Sequence, residues 1–371
     1  MAPLKLAAWR ARAYALVLAI VAAAAIHVQT DRHPDWGYDG YTYAIRMEMD
    51  AGIPYARARS SAQLFYAGKP ELADPLRRHY LYAAYPQYWA LFAPRIVYPL
   101  AASWLWPLAG MQALLIVSNL AFVAGILLLY ALAMLYAAPE IAALVALSCC
   151  ALPNVRSYGS GASTDMLAFA FLVAMIYAVC RYADSAKWPW FAAFTAAATL
   201  MSFTRPIAYV PLAAALVLVL AGIGAKNQRH VRLGLRIGAV SLLLCGALVA
   251  IGLAAHSPGL GEVVAQLRDS SAYLKTAPLW AWYAARVGYV TIRSIALAFA
   301  LFAAPLSLVA LWRWRTRADA VFFFGLVAAS IPTILVNPIV GDIPRVVIFP
   351  LLPVFCCGLA IALSRGARGA V

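Results

Sequence analysis

Charge is what this sequence has least of. Only 12% of its 371 residues are Asp, Glu, Lys or Arg, against 65% hydrophobic, and the mean hydropathy is +0.81. So little charge cannot coat a water-soluble globule, which excludes a soluble enzyme or binding domain and leaves lipid as the solvent for most of the chain. Acid is scarcer still, with 14 Asp and Glu against 29 Lys and Arg and a formal charge of +15. In a soluble protein that excess would point to nucleic acid. Here the cations stand in short clusters between apolar runs: Lys5, Arg10 and Arg12; Arg181 and Lys187; Lys226 to Arg236; Arg313, Arg315 and Arg317; Arg365 and Arg368. Short loops rich in Lys and Arg stay in the cytoplasm, so the clusters are topology signals and no nucleic-acid partner is expected. The six cysteines all fall in or at the ends of apolar runs, at spacings that fit neither a disulfide framework nor a zinc site. They read as small buried hydrophobes. The sequence shows no soluble domain, no low-complexity tract, and no internal repeat like the paired halves of many secondary transporters.

What is present is a series of long apolar runs, at 13–28, 112–136, 140–153, 162–180, 188–203, 206–224, 235–255, 290–311, 319–336 and 346–363. They predict an all-α polytopic transmembrane bundle of about ten spans. A basic start followed by an apolar run also describes a secretory signal, but the later spans already route the chain to the membrane, so 13–28 reads as a first span. Placing every cationic cluster inside puts both termini in the cytoplasm of a plasma (inner) membrane. It leaves 30–111, Asn154 to Asp165, Thr204 to Pro206, 256–289 and Asn337 to Arg345 on the periplasmic or extracellular face. Ala93 to Gly110 looks like another span, but a crossing there would turn the clusters at 226–236 and 313–317 outward. With Pro94, Pro99 and Pro107 inside it and Trp104 and Trp106 near its end, it reads as an interfacial helix. The expected organisation is one transmembrane domain over 1–371, with 30–111 an outer-face loop containing interfacial helices.

That loop is where polarity and aromaticity gather. Residues 30–92 carry half of the 14 acidic residues, and ten of the 20 tyrosines lie between Tyr38 and Tyr98. An aromatic belt at the headgroup level is the expected use of these rings, in preference to sugar stacking.

Few residues could carry chemistry. In Asp35-Trp-Gly-Tyr-Asp39-Gly-Tyr-Thr-Tyr43-Ala-Ile-Arg46 the carboxylates stand just beyond the first span, at the start of a helix predicted to run to Met49. N-capping would satisfy Asp39, and so would a general base open to acceptor and water. Asp165, in Ser157-Tyr-Gly-Ser-Gly-Ala-Ser-Thr-Asp165-Met, has the same two readings, with Ser163 and Thr164 competing as caps. Arg95, Arg205 before Pro206 and Arg345 after Pro344 sit at outward span ends. They would either snorkel to the headgroups or converge on a phosphate, whose oxygens match the guanidinium fork.

Asp39-Gly-Tyr-Thr-Tyr43-Ala after a first span resembles a motif of the GT-C fold glycosyltransferases, as does the Pro94-Arg-Ile-Val-Tyr-Pro99 segment. So do Thr164-Asp165-Met-Leu-Ala-Phe, Thr204-Arg205-Pro206 and Pro344-Arg345-Val-Val-Ile-Phe-Pro-Leu-Leu-Pro353. In style the chain is most similar to bacterial aminoarabinose transferases and protein O-mannosyltransferases. The resemblance implies an integral membrane, inverting glycosyltransferase of the cell envelope. It would move a sugar from a polyprenyl-phosphate donor to a hydroxyl of a glycan, lipid or protein acceptor. It makes Asp39 the catalytic residue, and Arg95, Arg205 and Arg345, with Asp165 and Tyr43, the residues that bind donor phosphate or substrate. Many members carry a second acid where this chain has Gly40, and the aminoarabinose transferases a basic residue where it has Thr42. No cofactor is required by the sequence; a divalent metal stays open should Asp39 and Asp165 converge. The alternatives are a non-catalytic binder of lipid-phosphate sugars and a lipid or sugar transporter, the latter disfavoured because ionisable residues gather at span ends rather than at the midplane.

Overall fold

A computed structural model describes residues 2–69, 92–256, 306–336 and 343–368. The expected span at 290–311 (save its last six residues), the loop at 256–289 (save His256) and much of the link at 337–345 lie outside these residues.

The architecture is an all-α polytopic bundle, as the apolar runs require. α1 (Ala2–Arg32) is the first long helix; His33-Pro34 follows it, and proline disfavours continuation. α2 (Tyr38–Asp50) and α3 (Tyr55–Ala67) come next, separated by Gly52 at φ +89° and Pro54. α4 (Val97–Ala109) stops at Gly110, φ +54°. α5 (Gln112–Ala133), α6 (Pro139–Ala151), the short seven-residue α7 (Pro153–Gly159) and α8 (Asp165–Ser185) follow. α9 (Trp188–Thr204) ends at Arg205, held extended at φ −144°, ψ 130° ahead of Pro206. α10 (Tyr209–Gly224), α11 (Gln228–Ala254), α12 (Ala318–Val336) and α13 (Ile343–Arg368) complete the series.

Among the described residues four helical stretches are long and apolar enough to cross a membrane: Ala8–Arg32, Gln112–Ala133, Asp165–Ser185 and Gln228–Ala254. Shorter apolar helices lie at Pro139–Ala151, Tyr209–Gly224, Ala318–Ser330 and Leu351–Ser364. α5 and α8 form the centre, flanked by α1, α6 and α9; α10 packs between α11 and α12, and α13 against α12 and α6. α1 and α11 expose most of their apolar surface, including Leu16, Ile20, Leu242 and Leu243, as lipid-facing helices do.

Only 13 residues of Ala93 to Gly110 are helical, about 20 Å of rise and short of a ~30 Å hydrocarbon layer. α4 buries Tyr98, Pro99, Ala102 and Ser103 against α2 and α5 and exposes Trp104 and Leu108.

The two ends of the bundle differ. At one end α8 begins with Asp165; at the other it finishes beside the cations. There Arg229 donates to the carbonyls of Ala183 and Asp184, and Arg236 to the Tyr182 hydroxyl. Arg317 forks onto Asp319 at 3.1 and 2.9 Å, while Tyr136 donates to the same carboxylate at 2.9 Å. Ser364 closes the set on the Tyr136 carbonyl at 3.3 Å.

A separate aromatic core lies under the first loop. Tyr41, Tyr43, Tyr66 and Tyr98 are all buried there with Trp36 and Phe92. Their rings meet edge to face, Tyr43 with Phe92 and Tyr98 at 5.1 Å each and Tyr41 with Tyr66 at 5.6 Å. The belt expected of these tyrosines is therefore corrected at these four positions. They are enclosed by protein on all sides, and each ring supplies core area that short helices otherwise lack.

Candidate active site

Asp39 occupies the first turn of α2, but the cap position is Gly37, with φ +39° and no side-chain cap bond. The Gly37 N–H instead goes to Asp35 Oδ1 at 3.0 Å. Asp39 therefore does not cap the helix, and its carboxylate stays one-third exposed, 3.7 Å from Arg95 Nη1. The same Nη1 donates to the Tyr43 hydroxyl at 3.1 Å, and Tyr43 donates to Thr164 Oγ1 at 3.3 Å. Asp39 and Tyr43 stand one helical turn apart, which is why one guanidinium reaches both. Burial raises the Tyr43 hydroxyl above its ordinary value; the Arg95 charge pulls the other way and the Asp39 charge adds to the rise. It therefore remains a proton-bearing bridge between the first loop and the start of α8.

Thr164 leads directly to Asp165, whose carboxylate is fully buried and paired with Arg205, itself only 14% exposed. Ser163 Oγ donates to Asp165 Oδ2 at 3.2 Å. Asp165 is the first residue of its helix, and Thr164 at the cap position makes no side-chain cap bond, so capping is not the use of either. Arg205 is presented by the extended residue that Pro206 enforces at the end of α9. Snorkelling is thereby set aside for Arg95 and Arg205: both turn inward to carboxylates.

The structure thus brings Asp39, Arg95, Tyr43, Asp165 and Arg205 into one polar chain at one end of the bundle. Arg345 is the third residue of α13, and its side chain lies outside the described residues. Several residues not singled out from sequence support the chain. Arg46 donates to the carbonyls of Phe92 and Ala93 at 2.9 and 3.1 Å, fixing the turn that carries Arg95. Tyr98 donates to Leu114 O at 2.8 Å and sits 3.1 Å from Ser118 Oγ, and Ser118 donates to Ser163 O at 3.3 Å. Asp35 pairs by backbone with the loop before Asp165, through Asp35 N to Ser160 O at 3.1 Å and Ala162 N to Asp35 O at 2.8 Å. Nothing in the sequence signalled that bridge, since backbone pairing leaves no trace in residue type.

Gly40 has no room for the second acid that the sequence resemblance would put there. A Cβ there would lie 2.5 Å from the Tyr66 hydroxyl, 3.0 Å from Ala162 Cβ and 3.2 Å from its carbonyl oxygen. Among the described residues no three His, Cys, Asp or Glu side chains gather as a metal site. Asp39 and Asp165 are each matched to a guanidinium, which already neutralises the carboxylates that a hard cation would take as ligands.

Comparison with curated proteins and with solved structures finds no match. Residues 97–251, from α4 into α11, match the family model of dolichyl-phosphate-mannose-protein mannosyltransferase. That segment includes Asp165 and Arg205 and leaves Asp39 and Arg95 before it. The match covers less than half of the 371 residues, so it shows what that part of the bundle is similar to.

Proposed function

We propose that the protein transfers a sugar from a polyprenyl-phosphate donor to an acceptor hydroxyl at the outer membrane face, with inversion at the anomeric carbon. The observation that carries the reading is the one-third exposed Asp39 carboxylate beside Arg95, joined through Tyr43 to Thr164, the chain neighbour of the buried Asp165 paired with Arg205.

In this scheme Asp39 takes the proton of the acceptor hydroxyl while its oxygen attacks the anomeric carbon. The carbon–oxygen bond to phosphate breaks, and its electron pair leaves with the phosphate. Charge therefore grows on the leaving group as the bond opens. Arg95 and Arg205, and Arg345 from α13, act where that charge develops, favouring the transition state over the bound donor. Asp165 is a positioning residue: its carboxylate holds Arg205, and Ser163 holds the carboxylate. Sidedness supports the outer face as the site of transfer, because cationic clusters gather at the opposite end of the helices from Asp39.

The test is transfer by the Asp39→Asn protein in membranes supplied with a labelled lipid-phosphate sugar. Loss of roughly 10²-fold or more in rate with donor binding retained is expected for a general base. Near-normal transfer would remove Asp39 from the mechanism. A purely donor-binding protein would instead show no turnover in the unmodified chain, with binding unaffected by Asp39→Asn.

A further inference from the structure

A second polar feature opens at the same end of the bundle and includes none of the Asp39–Arg95–Tyr43–Thr164 chain. It is an open cleft of about 590 Å³, within the roughly 300–1,000 Å³ typical of small-molecule sites. Gln29, Arg32 and His33 line it from the end of α1, Lys69 from beyond α3, and Ser157 and Ser160 from α7 and its end. Asp35 is its one carboxylate, and one of that group's oxygens is already occupied by the Gly37 N–H. Among the described residues no acid pairs with Arg32 or Lys69; the neighbouring Asp31 turns to His27 at 3.5 Å. Lys69 is instead held over the rings of Phe65 and Trp36, 4.3 and 5.0 Å from their centroids. That stacking fixes the ammonium at the cleft without neutralising it. A cation at the last residue of α1 also suits the helix dipole. The dipole does not account for a second fixed cation across the cleft, or for hydroxyl and amide donors between them.

The cleft and the polar chain are built from the same two segments. Asp35 faces the cleft and Asp39, four residues on, the chain; Ser160 lines the cleft and Thr164, four residues on, bonds Tyr43. The backbone pairing of Asp35 with Ser160 and Ala162 is the partition between them.

We infer that this cleft binds a phosphate or comparable multiply charged anionic group. Resting on the proposed transfer, we assign that group to the acceptor, so that Arg32 and Lys69 hold its charge while its hydroxyl is offered to Asp39. Guanidinium and ammonium together supply a fork and a point charge, the pair of donors that tetrahedral oxyanions take best. The anionic group could sit on a lipid headgroup or on a soluble molecule.

The experiment uses the full chain in phosphatidylcholine nanodiscs, titrated calorimetrically with dioctanoyl phosphatidic acid in one arm and glycerol 3-phosphate in the other. Binding of at least one probe is expected, weakened about tenfold or more in Arg32→Ala/Lys69→Ala, retained in Arg32→Lys and unchanged in Asp39→Asn. Phosphatidic acid alone binding identifies a lipid acceptor; binding of both identifies the phosphate itself as the recognised group. Neither probe binding, equal binding by the double variant, or loss of binding in Asp39→Asn would overturn the assignment. Arg32 is exposed and Lys69 partly so, which keeps the double variant foldable. Transfer that survived Asp39→Asn while the cleft still bound its probe would defeat the proposed mechanism and leave the anion site standing.

Discussion

At the scale of single residues, the Asp165–Arg205 pair carries the largest energetic stake. A carboxylate with no solvent access is tolerable only while its guanidinium partner stays. Arg205→Ala should therefore cost about 3–5 kcal/mol of stability, read as a fall in thermal midpoint in detergent. Asp165→Asn/Arg205→Gln, which removes both charges, should recover most of that stability and still fail to transfer sugar. If the double variant unfolds as early as the single one, the pair is not the source of the effect. Glu48 makes a different statement. It is buried between α2 and α3, accepting from Ser61 at 2.7 Å through one oxygen, while the other has no hydrogen-bond partner. Burial raises its carboxyl above the ordinary value, against the pull of the Ser61 hydrogen bond. The folded chain thus binds this proton more tightly than the unfolded chain. The associated stability is present below the ordinary carboxylate range and is lost as pH rises through the raised value. Glu48→Gln should flatten that dependence and raise the midpoint at neutral pH, as a series of melts between acid and neutral pH would show.

At the scale of elements, glycine sets how closely α10 and α12 approach. A Cβ on Gly325 would stand 2.5 Å from Ala214 Cα and 2.9 Å from its carbonyl oxygen, both backbone atoms that cannot swing aside. Small residues at such crossings replace the hydrophobic drive that lipid removes. Gly325→Ala should destabilise by about 1–3 kcal/mol through overpacking, whereas Gly238→Ala, whose added Cβ would meet only Ala215 Cβ at 3.7 Å, should be silent. Equal melting of the two variants would refute close packing as the reason for Gly325. The helices themselves were legible: the apolar runs at 188–203, 206–224 and 319–336 agree with α9, α10 and α12 to within a few residues. At the N-terminal side of α8 the run misled, because Ala162 and Ser163 are apolar or small enough to extend it while their backbone serves the bridge to Asp35 and the bond from Ser118.

Across the whole molecule, the separation of ends is the organising fact. Asp39, Asp165 and Arg205 lie at one end of α8 and α9, whereas Arg229, Arg236, Arg317 and Asp319 surround the other end of α8. With the cationic end in the cytoplasm, His33→Cys should react with a membrane-impermeant maleimide in intact cells, and Lys226→Cys only after permeabilisation. Both positions are exposed. The reverse pattern would invert the protein and place the proposed transfer on the cytoplasmic face.

Composition and charge order were enough by themselves to determine that the chain lives in lipid as an all-α bundle and to nominate Asp39, Arg95, Asp165 and Arg205, because hydrocarbon thickness and the scarcity of charge leave few alternatives. Only the tertiary structure decided how those residues are used. Asp39 went to an ion pair rather than to a cap, four loop tyrosines went to a core rather than a belt, and Arg95 and Arg205 met carboxylates rather than headgroups. The physical reason is that these choices depend on neighbours far apart in sequence, such as Tyr43 with Thr164 and Asp165 with Arg205, whose meeting is set by helix packing and leaves no local pattern to read.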